Sequence, residues 1–467
     1  MDSTKKMLSQ IDEIFHPESV AIVGVPREFK TGKLFLMALV DQKFPGHIYP
    51  VNPKVDEIDG LKTYPSVSAI PGNVDLAIIL VPQQSTLSVV KECAAKGVKG
   101  AILFTAGYKE TGTEEGKAME DELLSVAGEA GMRLIGPNGM GLYCPKTGLS
   151  FFPDLSRKSG NFGFISHSGS LANILGIIGP QKGIYFSKSI SLGNECDLSV
   201  RDFLEYLGYD QDTNLIGAYI ENIKDGPLFL KTLKQVSIKK PVILWKVGLN
   251  PEGSRAAASH TGALTSKKEI WEAVSQQGGA VPVIGFEAIV DTLMGFSLLP
   301  AQIGNRVAIV SGPGGFAVSV AEACGREGLK LAELSSESRS ILSKFIPSTG
   351  TSLRNPIDMG MNAALIIDIY INTAKIVASD PGVDTVVIVG GGRTPEDNER
   401  LKEEILKARE EFKKPFIMVN LPGYNPETAQ SFCNAGLPTF DSAERAISAY
   451  VKVLRYQLWQ QKMTELK

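Results

Sequence analysis

Short apolar runs alternate along this chain with stretches of helical periodicity, and the junctions between them are rich in glycine and serine. One unit recurs: an apolar strand, a Gly- or Ser-containing turn, then a helical stretch. It is read as SVAIVGVPREFKTGKLFLMALVDQ from Ser19, as GFISHSGSLANILGII from Gly163 and as RVAIVSGPGGFAVSVAEACGREG from Arg306. Further apolar runs lie between these units: VDLAIILV (Val74–Val81), GAILFTAG (Gly100–Gly107), NLIGAYIE (Asn214–Glu221), PVILWKVG (Pro241–Gly248), DTVVIVGG (Asp384–Gly391) and PFIMVN (Pro415–Asn420). Continuous apolar runs of strand length, separated by helical crossovers, belong to strands buried on both faces of parallel sheets. The pattern predicts an α/β protein. Three copies of the opening unit, each followed by a domain's length of chain, predict three domains. Gly and Pro cluster at GPNGMGLYCPKTG after the strand-like MRLI, and LLPAQIGNR forms a second connector. The predicted boundaries are therefore 1–143, 144–299 and 300–467. The last stretch, AERAISAYVKVLRYQLWQQKMTELK, reads as an amphipathic helix.

Composition narrows the partners. A net charge of −3 on 467 residues, 43% of them hydrophobic and 21% charged, gives no electrostatic case for nucleic acid or an anionic membrane. The first 15 residues are polar and lysine-bearing, without the apolar core of a secretory signal, and the apolar runs are too short to span a bilayer. The five cysteines, Cys93, Cys144, Cys196, Cys324 and Cys433, form no C-x-x-C pair and have no neighbouring histidine. This predicts a reducing, cytoplasmic setting and no metal site.

The chemistry is expected at the carboxyl ends of the strands, where loops lead into helix N-termini whose free N–H groups attract anions. The first loop has Gly24 but not the G-x-G-x-x-G spacing, and no acidic residue is placed to hold a ribose, so a plain NAD site does not fit. The second, Ser166-His167-Ser168-Gly169-Ser170, offers hydroxyls and backbone donors at a helix start. The third, Ser311-Gly312-Pro313-Gly314-Gly315, offers glycines that let the backbone approach an anion. Either turn alone is equally an ordinary tight βα turn. The stretch GSRAAASHTGALTS, Gly253–Ser266, carries His260, one of only four histidines, among small residues that leave backbone and imidazole room to move. It reads as a mobile loop with one reactive group, against the bland alternative of a solvated histidine without a task. Glu221 ends a neighbouring strand and should reach the same loop edge. A carboxylate on one ring nitrogen raises the nucleophilicity of the other, which suits a histidine that carries a phosphoryl group.

These residues match a family. In order and spacing, SVAIVGV with GHIYPVNPK, VDLAIILVP, AGYKETG, GPNGMG, SHSGSL, SLGNECD, YIENIKDG and SRAAASHTGAL resemble the α subunit of NDP-forming acyl-CoA synthetases of the ADP-forming acetate–CoA ligase type, relatives of succinyl-CoA synthetase. The resemblance implies a Rossmann-like CoA-binding domain followed by two flavodoxin-like parallel-sheet domains, the first of them bearing the phosphohistidine loop. It implies His260 as the phosphorylated histidine and Glu221 as its steadying carboxylate, with Ser168, Gly169 and Ser170 as one phosphate cradle and Gly314 and Gly315 as the other. CoA would meet Gly24, Pro26, Arg27, Lys33, Asn52, Pro53, Val81, Pro82, Ala106 and Gly107, and Pro137 and Asn138 would border the acyl group. Two positions depart from the pattern: relatives usually carry Gln at His167 and Cys at Gly139, the latter implying room for a longer or branched acid.

The resemblance further implies that acyl-CoA, phosphate and ADP are interconverted with carboxylate, CoA and ATP through an acyl phosphate and a phosphohistidine. No ATP-grasp segment follows the third domain, so ATP/ADP and Mg2+ are expected on a separate β subunit in an α2β2 assembly. A CoA- or acyl-CoA-binding sensor without catalysis is the competing reading, and the retention of His260, Glu221 and both cradles counts against it.

Overall fold

The computed structural model describes residues 2–261, 267–300, 302–360, 366–420 and 426–465, with the side chains of 2, 3 and 258–261 outside that description. Its residues form two compact units, one of residues 1–178 and 185–284, the other of 179–184 and 285–467. Among the described residues no helix is long and apolar enough to cross a membrane, and no cluster of histidine, cysteine and carboxylate side chains is arranged to hold a metal ion.

In the first unit, a five-stranded parallel sheet runs in the order His47–Val51, Ser19–Val23, Leu76–Ile79, Gly100–Leu103, Arg133–Ile135. Its inner strands read VAIV, LAII and GAIL and are fully buried, the continuous apolar pattern of strands covered on both faces. Helices Lys33–Asp41, Gln83–Lys96 and Glu114–Glu129 make the crossovers, with Val90 and Leu123 packed into the core that Ala21, Val23, Ala77, Ile79 and Leu103 line. The second sheet has the order Val281–Val283, Val242–Lys246, Leu215–Ile220, Phe162–Ser166, Phe186–Ser191, Gly141–Tyr143, parallel except for the last strand. The strand Phe186–Ser191, FSKSIS, is polar in sequence and wholly buried. Lys188 survives there because its Nζ meets Asp210 Oδ2 at 2.9 Å, and Ser187 bonds Thr213 at 2.7 Å.

The second unit holds the third parallel sheet, ordered Lys330–Leu331, Arg306–Ser311, Thr385–Val389, Phe416–Val419, Thr439–Phe440, with Ile357–Asp358 also paired to Arg306–Ser311. The 23-residue helix Ala443–Glu465 packs its Ala449 and Val453 beside Gly295 of the helix Phe286–Leu298. Arg445 closes that contact with a bidentate pair to Asp291, at 2.6 and 2.9 Å.

Candidate active site

Within the first unit, the carboxyl ends of its two large sheets open onto one cleft of about 560 Å3. The first sheet contributes Leu80, Val81, Pro82, Phe104, Thr105 and Ala106, the link between the sheets contributes Asn138, Gly139 and Met140, and the second sheet contributes His167, Ser168, Gly169 and Ser170. Loops at the carboxyl ends of parallel strands converge in this way because each strand must turn into its crossover helix there.

The remaining residues expected at CoA sit on the loops after the strands Ser19–Val23 and His47–Val51, except Gly107, which follows the strand Gly100–Leu103. Gly24 has φ +88°, and a side chain there would press on Val81, so glycine is required where the first loop crosses the second. Asn52 donates from Nδ2 to the carbonyl of Val25 at 2.9 Å and accepts the N–H of Lys54 at 2.9 Å, which makes it a brace for that loop. Pro53 follows it, exposed. Arg27 is also exposed, while Lys33 opens the helix Lys33–Asp41 and spends its ammonium on the carbonyl of Arg27 and on Asp59, at 2.9 and 2.8 Å. Pro26 lies beside Gly32 in the same turn. Gly107, at φ +113°, gives its N–H to Glu110 Oε1 at 2.5 Å. Glu110 in turn shares Asn194 with Glu120: Asn194 Nδ2 donates to Glu110 Oε2 at 2.5 Å and to Glu120 Oε2 at 3.0 Å. Burial raises the Glu120 carboxyl above its ordinary range, and the Asn194 hydrogen bond works against that shift.

Pro137 is buried and Asn138 adopts φ +59° with its N–H on the carbonyl of Thr105 at 3.1 Å. Gly139 has a different meaning from the one its sequence suggested. A Cβ there would stand 2.8 Å from the Ser191 carbonyl oxygen and 3.2 Å from the Leu192 carbonyl, so the volume a larger residue would fill is occupied by main chain and is not offered to a substrate. Gly139→Cys should therefore cost about 1–3 kcal/mol of stability by overpacking, read as a lower urea midpoint at unchanged slope; a wild-type midpoint would show that the 191–192 segment gives way freely.

At the other wall, the helix Gly169–Ile178 presents its first-turn N–H groups, orphan donors by helix geometry. Ser168 Oγ accepts the N–H of Leu171 at 3.4 Å and lies 3.1 Å from Ser170 Oγ, so two hydroxyls flank those donors. His167, just before, is buried and also lies beside Glu195, a residue sequence reasoning did not single out. Glu195 itself has φ +55°, and its Oε1 accepts the N–H of Val200 at the start of the helix Val200–Tyr209.

Glu221 is buried directly after the strand Leu215–Ile220. Its carbonyl accepts from Lys246 Nζ at 2.9 Å. Burial lowers the Lys246 ammonium to about 8, opposed by the Glu221 carboxylate. Burial and the same carboxylate push the Tyr219 hydroxyl upward. His260 is carried by the helix Pro251–Thr261, where the sequence read as a loop. Pro251 suits a first helical position, Asn250 Oδ1 accepts the N–H of Gly253 at 2.7 Å, and Ala256–Ala258 are strong helix formers. The His260 side chain and residues 262–266 lie outside the described residues.

In the second unit, Gly314 and Gly315 begin the helix Gly314–Glu327. A Cβ at Gly315 would meet open space, whereas one at Gly314 would strike Asp358 Oδ2. A carboxylate thus already lies against this helix end, an arrangement the glycine pattern could not disclose.

Comparison with known proteins sharpens the picture. Residues 18–145 match the CoA binding domain and residues 159–296 the succinyl-CoA ligase like flavodoxin domain. The fold and the cleft thus define a chain of the acyl-CoA ligase class with a CoA-binding domain ahead of a ligase-type flavodoxin-like domain. The α subunit of acetate–CoA ligase [ADP-forming] II of Pyrococcus furiosus is 38% identical, over 95% of this chain and 97% of its own. Acetate–CoA ligase [ADP-forming] I of Archaeoglobus fulgidus is 34% identical over 96% of this chain, which spans 64% of that longer relative. The solved structure of a dinucleotide forming acetyl-coenzyme A synthetase 1 of Ca. Korarchaeum cryptofilum, in complex with phosphate and ADP, superposes with a TM-score of 0.86 at 31% identity, over 98% of this chain and 99% of that one. This chain belongs to the family of ADP-forming acetate–CoA ligase α subunits.

Proposed function

We propose that this chain is the α subunit of an ADP-forming acyl-CoA synthetase, working with an ATP-grasp β subunit in an α2β2 assembly. The observation that carries the proposal is the single cleft in which Val81, Pro82 and Ala106 of the CoA-binding domain face the donor-rich helix end Ser168–Ser170 across Asn138. The CoA thiol arm enters along the first set. Phosphate oxygen attacks the thioester carbonyl and the thiol leaves, giving an acyl phosphate. A ring nitrogen of His260 then attacks phosphorus, the carboxylate leaves, and the imidazolium that forms is steadied by Glu221. The phosphate oxygens are held in turn by the N–H groups and hydroxyls at 168–170 and by the helix end at Gly314 and Gly315, positions where developing negative charge meets fixed dipoles. The phosphoryl group finally passes to ADP, which the β subunit holds with Mg2+.

Calorimetric titration of the chain should show binding of CoA and none of NAD. Acyl-CoA formation from ATP, a small carboxylic acid and CoA should require added β subunit. Turnover by the purified 467-residue chain alone would overturn this division of labour.

A further inference from the structure

His167 sits between two carboxylate-bearing segments, with its side chain fully excluded from solvent. Its Nδ1 accepts the main-chain N–H of Glu221 at 3.2 Å, and its Nε2 lies 3.2 Å from Glu195 Oε2. The parallel ladder between Phe162–Ser166 and Leu215–Ile220 ends at the Ser166–Tyr219 pair, and His167 N–H continues it onto the Tyr219 carbonyl at 3.3 Å. The imidazole then takes the place of the next rung, receiving the N–H that the ladder no longer serves. On the other side, Lys246 Nζ holds the Glu221 carbonyl. Both main-chain polar groups of Glu221 are thus bound by side chains, His167 just after one neighbouring strand and Lys246 on the other.

The donor at Nδ1 also fixes the ring's chemistry. An N–H pointing at Nδ1 leaves the ring proton on Nε2, because a proton on Nδ1 would set N–H against N–H. Glu195 itself is anchored by the helix start, where its Oε1 accepts the N–H of Val200.

We propose that His167 is a positioning residue for catalysis: with its Nδ1 lone pair engaged by the Glu221 N–H, it grips the Glu221 main chain and so sets where the Glu221 carboxylate meets the phosphohistidine. The inference rests on the reading of Glu221 as the partner of phosphorylated His260. The test uses the reconstituted α–β enzyme, with single-turnover phosphorylation by ATP and a CoA titration on each variant. His167→Leu should slow phosphorylation by about tenfold or more while CoA affinity stays near wild type, a split that general unfolding would not give. His167→Asn, whose Oδ1 falls where Nδ1 was, should restore the rate to within about threefold of wild type. The double variant His167→Leu/Glu221→Gln should be no slower than Glu221→Gln alone, since a residue that acts through another adds nothing once that other is gone. Effects that multiply, or a His167→Asn enzyme that binds CoA normally yet phosphorylates as slowly as one lacking the grip, would overturn the proposal. Should His167→Leu fail to fold, the His167→Asn rate decides by itself. A wild-type enzyme without phosphohistidine, or a Glu221→Gln enzyme of undiminished rate, would instead overturn the functional reading beneath it.

Discussion

His260→Ala should leave the α–β enzyme without any acid-labile, base-stable phosphate after incubation with ATP and magnesium, where the wild type gains a single phosphate per α chain. The expected lability follows from the N–P bond: protonation turns the imidazole into a good leaving group, and base removes that route. Intact-mass measurement before and after acid treatment reads the outcome directly. The other histidine near the cleft is excluded as the nucleophile by its own contacts. With its Nδ1 lone pair taken by the N–H of Glu221 and its ring shut off from solvent, His167 has no lone pair to offer phosphorus. A label that persisted in His260→Ala and mapped to His167 would sink this assignment and the proposed tautomer together.

The second large effect is expected from Glu221→Gln. The amide is isosteric and its main chain keeps the Lys246 and His167 contacts, so the protein should fold with a wild-type melting temperature. A neutral amide orients an imidazole but does not compensate the positive charge that the ring acquires as it takes the phosphoryl group. Loss of a positioned acid–base partner costs about 10²–10⁴-fold, and rapid-quench labelling should show a fall of that order with an unchanged KM for CoA. A loss confined to KM would place Glu221 in binding and remove it from the transfer step.

Much of this architecture is legible in the sequence for one reason: parallel strands covered on both faces must be apolar throughout. VAIV, LAII, GAIL, TVVIV and FIMV therefore announce themselves, and each became a strand, although the run read to Gly107 stops as a strand at Leu103. FSKSIS did not, because its burial depends on Asp210 and Thr213, partners distant in sequence that no local pattern reveals. The same limit hid Glu195. Its importance comes from a φ of +55° and from packing against a histidine 28 positions earlier, neither of which GNECD displays. The stretch around His260 misled in the opposite direction: small residues suggest freedom, yet three consecutive alanines behind Pro251 are also what a helix prefers. Gly139 shows how a single residue type carries two meanings, since only the main chain at Ser191 and Leu192 distinguishes an empty volume from a filled one.

The two helix ends differ in the groups already placed against them. At Ser168–Ser170 the first-turn N–H groups are flanked by neutral hydroxyls, and an anion captured there would simply gain hydrogen bonds. Against Gly314 a carboxylate is already in place, so a phosphate held there as proposed would have to displace the influence of Asp358 or bind beside it. The affinity of that end is then a difference between two anions competing for one dipole. If that end holds phosphate as proposed, it would release it more readily than its donors alone suggest, which would bias a phosphoryl group toward onward transfer.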